Sequence, residues 1–534
     1  MQSQAESENI GAFLRWTLPT TTDVIFIALL WIIMLGPRSN RFFLDGDPGW
    51  HVRAGQHMLE TRSIPHHDIF SHTMPEGWWV AYEWGSEVLM ALFHYWGGLN
   101  GLVFFVTLVL AISYTLLYSY LRRDGYSFTF TFLLLVFVFA GSSFHWLARP
   151  HPISYLFVLL FSRILDLVEQ GRWPASRVWW LVPIMFLWVN LHAGFIAGLL
   201  IVLTHAAASF LTWFAAPGEE RPRLAPAARR IAGVCAATFA VTLANPNGYG
   251  LYQYLARYFR AVHNLNPDNE LHSPSFQVLL FQPFLLAVVA LIFLIPYSRH
   301  RLQLHEIATL ALWSTLGFIS LRNIPVMFFI CTPIYARLLA GLNDPLTGIL
   351  SRGPVLQRAL RWLYARIERT MSIERRMKGH LLLGLTILLI VLLVSNHGYV
   401  GGHRVIDFRF SELEFPHGAI TYLQSHMPQG NVFNDWGFGG FLVYHFYPNI
   451  KVFIDGRLDM YGEDYTRQYI DLISTPSEVG KQRESWKAVF GRYQIAWVMT
   501  NPDHTLRYVL DVDPGWRSVY KDGRCVIFVK KEGS

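Results

Sequence analysis

Long apolar runs alternate with short polar loops along the first three quarters of the chain. A membrane-spanning helix needs about 20 mainly apolar residues, and about eleven runs come near this length. They cover residues 22–37, 99–121, 128–147, 152–169, 178–193, 195–214, 231–246, 276–296, 304–320, 324–341 and 380–396. The pattern predicts a polytopic α-helical membrane protein whose transmembrane domain occupies residues 1–396.

Basic residues fall in every second loop between these runs. Lys and Arg favour cytoplasmic loops, so the alternation predicts a cytoplasmic N-terminus, a large first outward loop at 37–98 and an outer C-terminus. We expect the bacterial cytoplasmic (inner) membrane, with a periplasmic C-terminal domain in a Gram-negative cell. The longest basic segment, Asn343–Gly379, is expected to be a helix lying against anionic lipid.

The composition changes after residue 396. Charges become frequent and apolar runs shorten to strand length over residues 397–534, which predicts a soluble α/β domain with a mostly parallel sheet. The expected helices lie at 416–426 and 463–473, and the expected strands at 431–434, 451–454, 495–500 and 525–530.

Overall composition supports a membrane protein. Hydrophobic residues make up 52% of the chain and charged residues only 15%, which excludes an ordinary soluble enzyme. The net charge of +7 does not indicate nucleic-acid binding, because the basic residues sit in short separate loops. The three cysteines lack metal-ligand spacing, and the chain has no haem-attachment, Walker or GxSxG motif, so no haem, nucleotide or flavin is expected.

The first outward loop contains an acidic pair, Asp45 and Asp47, separated by one glycine. Two such carboxylates can share a divalent cation such as Mg²⁺ or Mn²⁺, or one can act as a base that the other orients. Glu83, later in the same loop, is a candidate to assist Asp47. An Asp-Gly-Asp-Pro stretch is also typical of a turn, and Glu83 fits an interfacial helix with a solvated carboxylate.

Four further ionisable residues lie near the outer ends of apolar runs, in separate loops: Arg149, His151, His192 and Arg322. Such residues are costly at membrane depth. Together they predict an anion site, since Arg suits bidentate contact with phosphate. The alternative for each is that the side chain extends to the membrane surface.

Other residues are candidates for binding an acceptor. Trp50 and His51 directly follow the acidic pair. In the C-terminal domain, Asp435 and Trp436 follow one expected strand and Arg457 follows the next, where α/β sheets often place ligand sites. Turn chemistry, with Trp436 packed on the membrane domain, is the alternative interpretation.

These motifs resemble those of the GT-C superfamily of membrane glycosyltransferases, which use lipid-linked sugars. The segment DPGWHVR (47–53) is similar in character to the first Asp-Pro-Trp loop of oligosaccharyltransferase catalytic subunits, and DWGFG (435–439) resembles their WWDYG motif in a different order. The chain thus distantly resembles oligosaccharyltransferases and protein mannosyltransferases. The combination of LDGDPGWHVRAG, RPH, NLHAGF, ANPNG and VFIDGR also resembles a group of bacterial polytopic proteins placed near GT-C enzymes.

The resemblance implies a polyprenyl-phosphate or polyprenyl-pyrophosphate sugar donor and an extracytoplasmic protein, polysaccharide or lipid acceptor. Asp47 would be the catalytic or metal-binding carboxylate, with Asp45 and Glu83 as helpers, and Arg149 and Arg322 would hold the donor phosphate. The leading hypothesis is an inverting glycosyltransferase. A non-catalytic assembly subunit of an envelope complex and a transporter of lipid-linked glycans are the alternatives.

Overall fold

The computed structural model describes residues 17–36, 41–265, 269–342, 358, 362, 379–473 and 486–531. The predicted basic helix at Asn343–Gly379 lies almost wholly outside these residues.

A helix occupies each of the eleven predicted apolar runs. In chain order, the helices up to residue 396 are α1 (Thr21–Leu35), α2 (Asp47–Thr61), α3 (Trp84–Arg123), α4 (Phe128–Ser142), α5 (Pro152–Glu169), α6 (Leu181–Val189), α7 (Phe195–Ala215), α8 (Arg221–Val241), α9 (Gly250–Leu265), α10 (Gln282–Tyr297), α11 (Leu304–Ile319), α12 (Asn323–Ala340) and α13 (Leu381–Ser395). Helices α2 and α9 are the two that no predicted run contained.

The apolar helices make the protein a multi-pass membrane protein. Among the described residues, six helices are long and apolar enough to cross a membrane, namely α3, α4, α7, α8, α10 and α12. Four shorter apolar helices, α1, α6, α11 and α13, accompany them. Helix α10 exposes Leu286, Ile292 and Phe293 by 60–69%, as expected for a surface that faces lipid. The exact number of spans and their orientation stay predictions.

Two glycines divide α3 into an outer and a spanning part. Gly98 has a φ of 60°, and Gly97 is also non-helical, so the chain bends here because glycine tolerates a left-handed backbone. The segment before the bend packs against α2. This segment corresponds to the expected interfacial helix around Glu83. The segment after the bend corresponds to the predicted span at 99–121.

The C-terminal domain is a small α/β structure. Its elements are β1 (Tyr399–Val400), β2 (His403–Arg404), α14 (His417–Ser425), β3 (Asn431–Asn434), α15 (Trp436–Phe446), α16 (Leu458–Ile473), α17 (Trp486–Arg492), β4 (Ile495–Thr500), α18 (Thr505–Val512), β5 (Trp516–Lys521) and β6 (Val526–Lys530). The four-stranded sheet has the order β3-β4-β6-β5.

Two expectations for this domain are wrong. Only β3 and β4 are parallel, while β4–β6 and β5–β6 are antiparallel, because β5 and β6 form a hairpin at the end of the chain. Residues 451–454 form no strand of the sheet. Their backbone pairs instead with the first loop, where Val452 N–H donates to Phe70 O at 2.9 Å and His72 N–H donates to Val452 O at 3.1 Å.

The C-terminal domain packs against helices and loops of the N-terminal part of the chain. Helix α15 packs on α2, and α16 packs on α9. A Cβ atom added at Gly49 would lie 2.2 Å from Gly440 O, and one at Gly440 would lie 2.2 Å from Gly46 O. These contacts leave no room for larger residues and bring α15 directly onto the segment that carries Asp45 and Asp47.

Candidate functional site

Asp45 and Asp47 share one guanidinium group. Asp47 is the first residue of α2, and Arg149 lies in the turn before α5. Arg149 Nη2 is 2.9 Å from Asp45 Oδ2 and 3.1 Å from Asp47 Oδ2, and its Nε donates to Asp45 Oδ1 at 3.0 Å. The predicted acidic pair and the predicted phosphate-binding Arg149 are therefore in direct contact.

A third carboxylate links Arg149 to Arg322. Glu270 Oε2 lies 3.7 Å from Arg149 Nη1 and 3.2 Å from Arg322 Nε. Arg322 also donates from Nη1 to Tyr258 OH at 2.7 Å, and His145 Nε2 approaches Glu270 Oε2 at 3.4 Å. The result is a continuous row in which acidic and basic side chains alternate.

The carboxylates of this row differ in acidity. Burial raises the pKa of Asp45 to about 7, against the opposing charge of Arg149. Burial would also raise the pKa of Glu270, but the charges of Arg149 and His145 hold it well below its ordinary value. Asp45 can therefore exchange a proton near neutral pH, whereas Glu270 stays ionised.

A cluster of buried Glu83, His51 and Glu87 with partly buried His192 lies next to this row. His192 Nε2 is 3.2 Å from Glu83 Oε1, and His51 is 3.7 Å from Glu83 and 3.1 Å from Glu87. Burial raises the pKa of Glu83 to about 8, so this carboxyl is largely protonated at neutral pH. It is suited to donating a hydrogen bond or holding a proton.

Hydrogen bonds fix the tautomer of His192. Trp188 Nε1–H donates to Ser154 Oγ at 2.9 Å, and the Ser154 hydroxyl donates to His192 Nδ1 at 2.7 Å. Gly194 N–H donates to the same nitrogen at 2.9 Å. Since Nδ1 accepts, the proton sits on Nε2 and points toward Glu83. Burial lowers the pKa of His192 to about 3, which keeps the ring neutral.

His151 is neutral as well. Burial, followed by the charge of His145, lowers its pKa well below the ordinary value. Its Nε2–H donates to His145 O at 2.8 Å. Of the four predicted phosphate-binding residues, the two arginines therefore carry the positive charge of the site.

The predicted acceptor-binding residues occupy two different places. Trp50 Nε1–H donates to Asp47 Oδ1 at 3.0 Å, and its ring lies 3.6 Å from that of His51, so both lie at the acidic pair. Asp435 instead accepts hydrogen bonds from Thr500 and Asn501, and Trp436 N–H donates to Tyr469 OH at 2.9 Å. Both of these residues are held within the C-terminal domain.

Arg457 is 1% exposed and forms a buried ion-pair cluster. Its Nη2 is 2.7 Å from Asp68 Oδ1 in the first loop and 2.6 Å from Asp455 Oδ2. The guanidinium also lies over the ring of Trp79, 4.7 Å from its centroid. We call Arg457, Asp68 and Asp455 the Arg457 clamp, since they join the C-terminal domain to the first loop. Its buried position does not favour the predicted contact with an acceptor.

The residue before Arg457 does reach the acidic pair. A Cβ atom at Gly456 would lie 1.9 Å from Asp47 Oδ1, so the backbone of the VFIDGR motif borders the Asp47 carboxylate. The motif thus contacts the site through the backbone of Gly456. Sequence reasoning missed this contact and also missed Glu270, which follows no motif and precedes an apolar run.

Three sets of residues bear on metal binding. The ligand atoms of His51, Glu83 and Glu87 lie within 4.8 Å of one another, as do those of Glu169, His205 and His305. Between Asp45 and Asp47, where a divalent cation was predicted, the Arg149 guanidinium already contacts both carboxylates. A metal ion there would require Arg149 to move.

Comparison with known proteins gives likenesses in structure alone. No protein-family model and no curated protein matches the chain. Its structural neighbours include ArnT. The structure of ArnT from Cupriavidus metallidurans bound to undecaprenyl phosphate shares 13% identity and a TM-score of 0.47, covering 96% of this chain and 98% of that one. The apo state of the same protein gives 15% identity, a TM-score of 0.44 and coverages of 95% and 97%.

The GT-C resemblance rests on the sequence motifs.

Proposed function

We propose that the protein is a membrane glycosyltransferase that moves a sugar from a polyprenyl-phosphate or polyprenyl-pyrophosphate donor to an acceptor outside the cytoplasmic membrane. The observation that supports this proposal is the row of Asp47, Asp45, Arg149, Glu270 and Arg322. It combines carboxylates that can accept a proton with guanidinium groups that can bind phosphate, next to apolar helices that can accommodate a lipid.

Asp47 is the proposed base. Its carboxylate takes the proton of an acceptor hydroxyl while the acceptor oxygen forms a bond to the anomeric carbon of the sugar. The bond from that carbon to the phosphate oxygen breaks, and the polyprenyl phosphate or pyrophosphate leaves with the electron pair. A single displacement of this kind inverts the anomeric centre. Trp50, which donates to Asp47 Oδ1, orients the carboxylate.

Arg149 and Arg322 are the proposed ligands of the leaving phosphate. Cationic groups that are in place before reaction stabilise the charge that develops on the phosphate. The Arg322 side chain is 36% exposed, so it is the more open of the two to an incoming headgroup. In this proposal, Glu270 holds both guanidinium groups in position until the donor binds.

The proposal includes a location and a cation. The proposed location is the bacterial inner membrane, and the alternating basic loops favour an orientation with the C-terminal domain and the Asp47 site on the outer side. A divalent cation such as Mg²⁺ or Mn²⁺ remains an expectation from the acidic pair, and no step of the proposed reaction depends on it. Transfer that survives chelation with EDTA would remove the cation from the proposal.

The first test is replacement of Asp47 by Asn. The variant keeps the size of the side chain and loses the base, so we expect loss of one envelope sugar in cells that carry only this variant. Mass spectrometry of glycopeptides, polysaccharides and lipids measures the loss. The matched control is Glu76→Gln, which changes an exposed carboxylate of the same loop and should leave the glycans unchanged.

An unchanged glycan profile in the Asp47→Asn cells, at equal protein level and under conditions in which the wild-type gene alters the profile, would overturn the assignment of Asp47. A profile that does not depend on the wild-type gene under any growth condition would instead favour the assembly-subunit hypothesis.

A further inference from the structure

A second polar cluster lies at the end of α5 opposite to the Asp47 site. Helix α5 begins beside Arg149 and His151 and ends at Glu169. Its 18 residues place Glu169 about 27 Å from the start of the helix. Glu169 meets His205 of α7 and His305 of α11, so three helices bring one side chain each to this point.

The three side chains present nitrogen and oxygen atoms to one another. His205 Nδ1 is 2.7 Å from Glu169 Oε1, and His305 Nε2 is 2.9 Å from Glu169 Oε2. The two imidazole rings are stacked, with centroids 4.7 Å apart. All three ligand atoms lie within 4.8 Å of one another, which is close enough for one ion to bind them together.

A cavity of about 260 Å³ adjoins the cluster and is lined by Glu169 and His305 together with polar residues of neighbouring helices and loops. The arginines of this cavity are already bound to carboxylates. Arg337 pairs with Asp166 at 2.9 Å and Glu306 at 2.8 Å, and Arg172 pairs with Asp124. Among the described residues, Glu169 pairs with the two imidazoles and forms no ion pair with an arginine.

We propose that Glu169, His205 and His305 bind a Zn²⁺ ion. Two imidazole nitrogens and one carboxylate oxygen are a ligand set typical of Zn²⁺, whereas Mg²⁺ and Ca²⁺ prefer oxygen ligands alone. Three protein ligands leave a fourth tetrahedral position, which water from the cavity can fill. The ion would join α5, α7 and α11 at the membrane face opposite to the Asp47 site.

The alternative is a cluster held by hydrogen bonds between the two imidazoles and Glu169, with no metal ion. The metal content of the purified protein distinguishes the zinc site from the hydrogen-bonded cluster. Only a zinc site binds Zn²⁺ in a way that requires all three side chains. The full-length protein is purified in detergent, stripped with a chelator and titrated with Zn²⁺. Elemental analysis gives the bound amount, and Co²⁺ substitution reports tetrahedral geometry by its visible absorption.

We expect one Zn²⁺ per chain in the wild-type protein, an intense tetrahedral Co²⁺ spectrum and a rise in melting temperature on adding Zn²⁺. His205→Ala and Glu169→Gln should each lose this binding. The matched control is His300→Ala, which removes an imidazole of the same cavity that contacts Glu306 and should keep the ion.

Folded wild-type protein that binds no stoichiometric Zn²⁺ would overturn the proposal without reference to any variant. Retained binding in both His205→Ala and Glu169→Gln would overturn it as well, and so would loss of the ion in His300→Ala. None of these outcomes depends on glycosyl transfer. The zinc proposal can therefore be overturned while the proposed function stands, and the reverse.

Discussion

Glu83 is a buried carboxyl group that stays protonated at neutral pH. It is 8% exposed, and burial raises its pKa to about 8. Its neighbours His51 and His192 remain neutral, because burial lowers the pKa of both rings. The folded protein therefore binds a proton at Glu83 that the unfolded chain releases above its ordinary pKa of about 4.5.

This difference predicts that the contribution of Glu83 to stability falls as pH rises between about 4.5 and 8. In that range the folded state binds more protons than the unfolded state, so each pH unit costs at most about 1.4 kcal/mol from this one group. We expect Glu83→Gln to reduce the slope, since the amide does not titrate. Melting temperatures from pH 5 to 9 in detergent measure it.

Exposed Glu76 is the control, and Glu76→Gln should keep the wild-type slope. Equal slopes for wild type and Glu83→Gln would show that Glu83 is ionised in the folded protein. Asp45 and Asp459, whose pKa values burial raises to about 7 and about 6, contribute a slope of the same sign in the Glu83 variant. The neutral rings of His51 and His192 oppose it below their ordinary pKa of 6.5.

Part of the site could be predicted at this scale. Asp45 and Asp47 stand out in the sequence as an acidic pair in the first outward loop, and Arg149 and Arg322 stand out because charged residues near the ends of apolar runs are unusual. The structure places all four in one row. Glu270 could not be identified, because a single Glu in a polar loop has no distinguishing spacing, and only the fold brings it between the two arginines.

At the scale of elements, glycines decide how closely α2 and α15 approach. Gly46 and Gly49 face Gly440 across the contact, at separations that exclude a Cβ atom. Gly440 is thus a spacer between the C-terminal domain and the backbone of the acidic pair. Gly437, on the same helix, has open space within 4 Å of the position that a Cβ atom would occupy.

Gly440→Ala is expected to shift α15 away from Gly46, since the new methyl group would lie 2.2 Å from Gly46 O. We expect a loss of about 1–3 kcal/mol in the free energy of unfolding, as for other overpacked sites, together with reduced transfer activity. Thermal unfolding and the glycan assay measure the two effects.

Gly437→Ala provides the comparison for this helix. It adds the same methyl group in open space and improves helix propensity, so stability should stay constant or rise slightly. Equal behaviour of the two variants would mean that the close contact with Gly46 does not constrain the site.

The apolar runs predicted the apolar helices because a continuous apolar run of this length is too long for a strand or a loop. Helix α15 was not recognised, since DWGFGG has the composition of a turn. The segment 451–454 is apolar like a strand, but its partner is the distant loop around Phe70. Local sequence does not contain the identity of a partner several hundred residues away.

At the scale of the whole molecule, the Arg457 clamp joins the two domains. Arg457 contacts Asp68 and Asp455, all three of them buried. Breaking a buried ion pair by removing one partner leaves an uncompensated charge and typically costs about 3–5 kcal/mol. The clamp therefore contributes to holding the C-terminal domain on the first loop, where Gly456 borders Asp47.

Arg457→Met is expected to lower the free energy of unfolding by about 3–5 kcal/mol. Hydrogen exchange should increase in the first loop and in the C-terminal domain, and chemical unfolding in detergent gives the free energy. Combining Arg457→Met with Asp68→Asn should restore part of the stability, because the second change removes one of the unpaired charges.

Arg467→Met, which removes an exposed pair with Glu463, should change stability by less than about 0.5 kcal/mol. A similarly small effect of Arg457→Met would show that the buried pairs do not hold the domains together.

The residues that cover Asp47 are synthesised long after Asp47 itself. Gly440 and Gly456 are translated roughly four hundred residues after the acidic pair that they contact, and domains generally fold in the order in which they are made. During translation, Asp45 and Asp47 reach the membrane face well before the backbone that encloses them exists. The candidate site is thus completed last, after the C-terminal domain has emerged and folded.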